Sequence, residues 1–213
     1  MPRRTTLVLL LALTLPLPAA GQADTVSLSD VQQAYDALDG LRAAFTQVIS
    51  SDFAGDTTRI DGTVLLAGNK YRVETPTQTV VTDGQTTWIY TPADSQVVIN
   101  DAEQDASTVT PETFLTASAE RYEKTRSTAT TRQGTPHGKL TVTATDSTSR
   151  FEEATLWVRR SDQVVTRMRA TDRNGATLDL RLRDLTVNPR LPDDAFNFAP
   201  PEGVEVIDLR TGE

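Results

Sequence analysis

Several residue types are missing or scarce in this sequence, and each absence excludes a class of chemistry. There is no cysteine, which excludes disulfides, thiolate nucleophiles, iron–sulfur clusters and thiolate zinc sites. It also excludes the lipid-modified cysteine that tethers some bacterial envelope proteins to a membrane. With a single histidine, His137, histidine-rich metal sites and most Ser-His-Asp arrangements are hard to assemble.

Positive charge is in deficit, and nearly all of it is arginine. The 213 residues contain 21 Lys and Arg against 29 Asp and Glu, which gives a formal charge of -8 and a pI near 4.7. A chain this acidic is poorly suited to nucleic acid or another polyphosphate partner.

Long apolar runs are also absent after the N-terminus. Leu7–Leu17 is almost purely apolar, follows Arg3 and Arg4, and is followed by small residues up to Ala23. This order is typical of a secretory signal peptide, and the run is shorter than the ~20 residues needed to span a bilayer. We expect residues 1–23 to be cleaved and residues 24–213 to form a single exported domain. An N-terminal membrane anchor is the alternative interpretation.

The mature chain opens with a helical pattern and then changes period. Ser29–Asp39 carries an i, i+3, i+4, i+7 apolar stripe, and Ser29 with Gln32 suggests a capping box. From Leu41 onward apolar residues alternate with polar ones, which predicts a strand. A helix continuing through Phe45 to Ile49 is the competing interpretation.

The rest of the chain is dominated by strand patterns separated by Gly, Pro, Asn and Asp. Thr110, Pro111 and Glu112 have the composition of a helix start and predict one further helix. The sequence thus predicts a mainly β (α+β) fold, with one wide antiparallel sheet that curls and two helices covering part of an apolar face. Either a filled core or an apolar hollow is compatible with this pattern. The predicted strands after the first are Thr58–Ala67, Lys70–Thr75, Gln78–Asp83, Gln85–Thr91, Ser95–Asn100, Tyr122–Thr131, Gly138–Asp146, Phe151–Arg159, Gln163–Asp172 and Ala176–Val187.

No catalytic, metal-binding or cofactor-binding motif stands out. His137 lies between Gly134 and Gly138, which suggests a solvated turn rather than a general base. The acidic stretch from Asn100 to Asp105 lacks the glycine and terminal glutamate of an EF-hand loop and is interpreted as a solvated connection. We expect neither enzymatic activity nor a cofactor or metal.

The aromatic residues are few but patterned. Trp88 and Tyr90 share one face of their predicted strand, and Tyr71 and Val73 share one face of theirs. Such residues usually belong to a core or to cross-strand pairs. A lining for an acyl chain is the alternative.

Several segments in a fixed order resemble one family. Phe45-Thr46-Gln47 follows the short helix, Tyr71-Arg72-Val73 precedes the turn at Asp83-Gly84, and Trp88 and Tyr90 come next. The segment TPETFL and the ending LPDDAFNFAPPEGVEVIDL complete the pattern. Together they resemble the periplasmic outer-membrane lipoprotein carrier proteins of the LolA type, along essentially the whole mature chain.

The resemblance implies an incomplete antiparallel β-barrel of about eleven strands with a small helical lid. It implies a soluble, non-enzymatic chaperone, expected to be monomeric, that carries acylated lipoproteins from the inner to the outer membrane across the periplasm. The implied partners are an inner-membrane ABC lipoprotein-releasing transporter and an outer-membrane receptor lipoprotein. The receptor of that system has a similar fold and a lipidated cysteine, so the missing cysteine favours the carrier.

The resemblance also suggests which side chains form the acyl-chain cavity and its lid. One departure concerns the lid latch, because Ala67 and Gly68 stand where many members have a basic residue and a proline. Two alternatives remain open: a lipoprotein- or lipid-sensing regulatory module of the envelope, which would carry a further C-terminal domain, and a carrier of free lipid or glycolipid. The candidate site residues are Phe45, Leu66, Tyr71, Arg72, Val73, Trp88, Tyr90, Phe114 and Leu115.

Overall fold

The computed structural model describes residues 26–51, 55–102, 121–147, 149 and 151–210. Of the sequence-based expectations, the signal peptide and the helix starting near Thr110, including Phe114 and Leu115, lie outside the described residues. The elements are a helix, α1 (Leu28–Asp36), a short 3-10 helix (Pro92–Asp94) and twelve strands: β1 (Leu41–Ser51), β2 (Asp56–Ala67), β3 (Lys70–Glu74), β4 (Thr79–Thr82), β5 (Thr86–Thr91), β6 (Gln96–Asp101), β7 (Tyr122–Arg132), β8 (Thr135–Ala144), β9 (Phe151–Arg159), β10 (Val165–Asp172), β11 (Thr177–Val187) and β12 (Glu205–Asp208).

All twelve strands belong to one open sheet in the order β12-β6-β5-β4-β3-β2-β1-β11-β10-β9-β8-β7. Neighbours pair antiparallel except β12, which pairs parallel with β6. The predicted fold class, an open curled sheet of mainly β composition, is confirmed. Each predicted strand is found within three residues of its expected ends.

β1 is a strand along its whole length, so the competing helix through Phe45 and Ile49 is wrong. It lies between β2 and β11 and pairs with both. A central strand satisfies its backbone groups on both edges, which outweighs the weak helical pattern of this segment.

The inner face of the sheet is apolar. The outer face is mostly polar on β7 to β11 but carries buried apolar residues on β4 to β6, such as Val81 and Val97. One connected hydrophobic cluster includes residues as far apart in strand order as Val80 on β4 and Leu140 on β8. Side chains from both halves of the sheet can meet in this way because the sheet curls around them. We call the side facing this cluster the inner face and the opposite side the outer face.

α1 packs on the inner face and begins two residues earlier than the predicted capping box. The N-cap is Ser27, whose Oγ accepts a hydrogen bond from the Asp30 backbone N–H, while the Asp30 carboxylate accepts one from the Ser27 N–H. Val31 is fully buried. The chain before the helix lies so close to β8 that a β-carbon at Gly138 would overlap the side chain of Val26. The helix is thereby fixed against β8.

The chain between β11 and β12 lies on the outer face, where it contacts β3 and β5. It begins at Asn188, whose side-chain oxygen accepts hydrogen bonds from the backbone of Asp39 and Gly40. Further along, the ring of Phe198 lies 6.1 Å from the ring of Tyr90. We call residues 188–204 the C-terminal segment. Within the described residues, no helix has the length and apolar character needed to cross a bilayer.

Candidate functional site

Four of the candidate site residues share the inner face of β1 to β3. Leu66 is directly opposite Tyr71, and Val73 is opposite the inner-face residue Val64. Phe45 is opposite Gly62. Directly opposed residues in an antiparallel pair point to the same face. These side chains are part of the hydrophobic cluster or pack against it.

The inner-face apolar surface continues beyond these residues in both directions. Val80 on β4 and Ile89 on β5 extend it toward one edge, since Val73 is opposite Val80 and Val80 is opposite Ile89. Leu180 on β11 and Leu156 on β9 extend it toward the other edge, and both are buried. We call the part formed by Phe45, Leu66, Tyr71, Val73, Val80 and Ile89 the inner apolar surface. Val73 and Ile89 are only partly buried within it.

Trp88 and Tyr90 lie on the outer face, so the expectation that they line one hollow with Leu66 and Tyr71 is wrong. Trp88 is directly opposite Val81, and Val81 is opposite Arg72. Because side chains alternate along β3, Arg72 points away from Tyr71. The physical reason for the outer placement is the C-terminal segment, which supplies Phe198 as an aromatic partner for Tyr90.

Arg72 also serves the outer face. Its Nε donates a hydrogen bond of 2.7 Å to the Glu74 carboxylate, and its Nη1 donates one of 3.4 Å to the backbone oxygen of Asn197. The side chain thus links β3 to the C-terminal segment. Arg72 therefore does not belong to the inner apolar surface.

A cavity of about 760 Å³ lies on the outer face between the sheet and the C-terminal segment. Its walls mix charged and apolar groups, so it differs in chemistry from the inner apolar surface. The lining residues include Arg42, Ala44, Thr63, Leu65, Arg72 and Glu74 from the sheet, with Pro192, Asp194, Ala195 and Asn197 from the segment.

His137 is buried within β8, which corrects its interpretation as a solvated turn residue. The chain turns instead at Gln133 and Gly134, which have φ of 48° and 76°, as a two-residue hairpin turn requires. His137 is 4% exposed. Its Nδ1 donates to the Thr135 carbonyl, and its Nε2 is hydrogen-bonded to Thr166 Oγ1, both at 2.9 Å. With both ring nitrogens engaged, the side chain has a structural role.

One buried hydroxyl on the inner face has no hydrogen-bond partner. Thr87 on β5 is 0% exposed, and its Oγ1 has no hydrogen-bond partner among the residues that the structure describes. It shares the inner face with Thr82 and Tyr71, as the strand pairing shows. Sequence patterning gave no signal for this group, because alternation identifies a face but not whether a hydroxyl is satisfied.

Acid–base groups of the described residues are concentrated in ion pairs rather than in a reactive cluster. Asp179 on β11 lies between Arg167 and Arg181, at 2.5 and 3.0 Å. Burial raises the pKa of Asp179, but hydrogen bonds from the two arginines outweigh burial and lower the pKa to about 2. Within the described residues, no three His, Asp or Glu side chains form a group that could hold a metal ion.

Comparison with known proteins identifies relatives over nearly the full length. The model of the family described as "Outer membrane lipoprotein carrier protein LolA" matches residues 36–199. An outer-membrane lipoprotein carrier protein of Haemophilus influenzae is 29% identical over 212 residues, which is 98% of each chain. One from Neisseria meningitidis is 28% identical over 198 residues, covering 86% of this chain and 91% of the relative.

Solved structures share the fold at low sequence identity. An uncharacterized conserved protein from Thermus thermophilus is similar with a TM-score of 0.57 and 13% identity, over 85% of this chain and 96% of that chain. MucB is similar with a TM-score of 0.51 and 17% identity, over 88% of this chain and 66% of that chain. Because the family model covers most of the sequence and the sheet agrees with it, the chain belongs to the outer membrane lipoprotein carrier protein family.

Proposed function

We propose that this protein is a periplasmic, non-enzymatic carrier that holds the acyl chains of lipoproteins against the inner apolar surface during transfer from the inner to the outer membrane. The observation that carries the proposal is the continuity of this surface from β1 to β5 in a member of the lipoprotein carrier family. Its expected partners are the inner-membrane transporter that loads it and the outer-membrane receptor that unloads it.

The energetics require an apolar surface of this kind. Burying an acyl chain is worth about 0.8 kcal/mol per methylene group, so a long chain exposed to water costs on the order of 10 kcal/mol. A soluble carrier must cover most of that area and still release it. Partly buried residues such as Val73 and Ile89 offer contact area that a ligand can complete without unfolding the sheet.

The sequence predicts a helix that contains Phe114 and Leu115, and we include this helix in the proposal as a cover for the acyl chains on the open side. In the loaded protein this helix would pack on the acyl chains, and in the empty protein it would pack on the inner apolar surface. Apolar area is therefore buried in both states. The difference in free energy between the loaded and empty states then stays small enough for cargo to be passed on.

The experiment uses two adjacent leucines on opposite faces. Leu66 points to the inner face, and Leu65 is opposite Arg72 on the outer face. We expect Leu66→Glu to abolish lipoprotein loading and Leu65→Glu to preserve it, as measured by native mass spectrometry of protein purified from its own periplasm. Leu66 is 4% exposed, so a glutamate there can also disturb folding. Val73, which is only partly buried, therefore supplies a second inner-face variant, Val73→Glu. Circular dichroism of each variant is the folding control.

Three results would contradict the proposal. The first is a folded inner-face variant that loads lipoprotein as well as the wild type. The second is a loss of lipoprotein loading in Leu65→Glu that equals the loss in Val73→Glu. The third is wild-type protein that carries free lipid or glycolipid but never lipoprotein, which would make it a lipid carrier of the same fold.

A further inference from the structure

The outer face contains a cavity, lined by residues of β1, β2 and β7 to β11, whose charge is opposite to that of the whole protein. Its volume is about 700 Å³, and five arginines line it together with one aspartate, Asp184. The chain as a whole has a formal charge of -8. We call this site the basic cavity; its arginines are Arg59, Arg132, Arg159, Arg181 and Arg183.

The ion pairs around the basic cavity leave positive charge uncompensated. Asp61 is shared by Arg59 and Arg183, at 2.9 and 3.4 Å. Asp179 is shared in the same way by Arg167 and Arg181. Each carboxylate thus faces two guanidinium groups. Pairing one-to-one, with one arginine for each carboxylate, would leave no such excess.

That one-to-one arrangement is found at the rim, where Arg159 pairs with Asp162 at 2.7 Å. Arg132, in contrast, has no ion-pair partner of this kind among the residues that the structure describes. Within the described part of the chain no carboxylate lies within salt-bridge distance of it, and its guanidinium lies over the Trp157 ring, 5.4 Å from the centroid. Arg167 and Lys139 approach the same ring, at 4.5 and 5.6 Å.

Burial lowers the pKa of Arg132, and repulsion by Arg167 and Arg181 lowers it further. The arrangement therefore concentrates cations at a cost that an anion in the cavity would offset. The use of arginine rather than lysine in the basic cavity is not specific to this site, since Lys70, Lys124 and Lys139 are the only lysines in the chain. The positive charge of the basic cavity comes from the placement of its arginines in one concave site.

We propose that the basic cavity binds a phosphate-bearing anion, supplied either by a soluble phosphate ester or by a phospholipid headgroup. Together with Arg167, which shares Asp179 with Arg181, the five arginines of the basic cavity make six positive charges. Asp61, Asp162, Asp179 and Asp184 supply four negative charges, so an excess of two positive charges is left. A phosphate monoester carries about -1.5 to -2 at neutral pH and offers three acceptor oxygens, which match guanidinium donors well. A ligand with a single carboxylate would neutralise only one of the two excess positive charges.

The size of the cavity and its hydroxyl groups favour the same class of ligand. Ligand cavities are commonly ~300–1,000 Å³, so the basic cavity has room for a phosphate with an attached glycerol-sized group. The hydroxyl-bearing residues Thr46, Thr135 and Thr166 also line it. The proposal does not rest on the carrier function, because the basic cavity and the inner apolar surface lie on opposite faces of the sheet.

The test measures binding of three probes to the full protein at low salt. These are inorganic phosphate, glycerol 3-phosphate and vesicles of phosphatidylglycerol in phosphatidylcholine, with pure phosphatidylcholine vesicles as the blank. We expect Arg132→Gln with Arg183→Gln to weaken binding about tenfold or more, as the loss of charge-assisted hydrogen bonds predicts. Arg169→Gln is the matched control, since Arg169 is exposed on β10 and does not line the basic cavity.

Binding of the soluble phosphates alone identifies a soluble ester as the ligand. Binding of the phosphatidylglycerol vesicles with the same dependence on Arg132 and Arg183 identifies a headgroup. The proposal is overturned if none of the probes binds, or if Arg169→Gln weakens binding as much as the cavity variants, which would indicate diffuse electrostatics. It is also overturned if a glutamate-rich peptide binds the basic cavity and the phosphates do not. Arg183 is largely exposed, so Arg183→Gln alone serves if the double variant is unstable.

Discussion

The ring of Phe45 lies directly over Gly62 on the neighbouring strand, and a β-carbon at Gly62 would fall 2.7 Å from Phe45 Cζ. The same β-carbon would overlap the backbone oxygen of Glu74 on the next strand. Glycine is therefore required where three strands meet below the inner apolar surface.

We expect Gly62→Ala to destabilise the protein by about 2–3 kcal/mol, because the added carbon cannot be accommodated without moving backbone. Urea unfolding followed by circular dichroism measures this. In Gly55→Ala a β-carbon would meet no atom of the described residues within 4 Å. We expect a loss of about 1 kcal/mol, which comes from the left-handed backbone of this residue alone. Equal stability of Gly62→Ala and the wild type would show that the strands separate easily at this point.

Removing the unpartnered hydroxyl of Thr87 should stabilise the protein. The side chain is fully buried, and its Oγ1 lacks a hydrogen-bond partner in the described part of the chain. Thr87→Val therefore replaces a desolvated polar group by a methyl group of similar shape. A gain of about 1 kcal/mol is expected, visible as a higher melting temperature. Thr58→Val, at an exposed position of β2, should leave the melting temperature almost unchanged. A lower melting temperature for Thr87→Val would mean that the hydroxyl is satisfied in solution.

The ion pairs of Asp179 predict a pH dependence of stability. The pKa of Asp179 is lowered from 3.8 to about 2 in the folded protein. A lowered folded pKa contributes stability above the unfolded pKa, and this contribution is lost as the pH falls from about 4 to about 2. We expect Asp179→Asn to cost roughly 1 kcal/mol at neutral pH, with solvent screening taken into account.

The difference between Asp179→Asn and the wild type should disappear near pH 2, and chemical denaturation at several pH values follows it. Asp193→Asn, in an exposed position of the C-terminal segment, is the control. A difference that persists unchanged to pH 2 would assign the effect to packing rather than to charge.

The contact between Tyr90 and Phe198 predicts that the C-terminal segment can be loosened without affecting the cargo site. Phe198 is partly buried, so Phe198→Ala should cost about 1–2 kcal/mol and increase protease cleavage within residues 188–204. Lipoprotein loading should be preserved, because the segment covers the outer face. Limited proteolysis with mass spectrometry and the loading assay together test this, with Asp193→Ala as the control. Loss of loading at unchanged stability would link the two faces.

The sequence predicted the strands and the chemistry of each face, because alternation and turn residues are local signals. Trp88 and Tyr90 were correctly placed on one face of their strand, and Tyr71 and Val73 on one face of theirs. The pattern could not show whether the Trp88 face of β5 and the Tyr71 face of β3 lie on the same side of the sheet. That depends on the register between β3, β4 and β5, which the turns and the packing of the C-terminal segment decide.

His137 illustrates a second kind of miss. The run Gly134 to Gly138 contains two glycines and a proline, and the local signal for a turn is strong across all of it. The chain uses only the first part, and Gly138 is needed instead for the close approach of Val26. Glycine can mark a turn or a tight contact, and a single sequence does not separate the two.

The alternation along β11 has a consequence for how such a protein can change over evolution. Leu178, Leu180 and Leu182 face one way, and Asp179, Arg181 and Arg183 face the other. Substitutions on the charged side can change which molecules the outer face binds, while the apolar side is unchanged. A single inserted residue that no β-bulge absorbs, in contrast, would exchange the two sides of the strand beyond the insertion. Divergence within this architecture should therefore proceed by point substitution on the exterior, with insertions and deletions confined to the connections between strands.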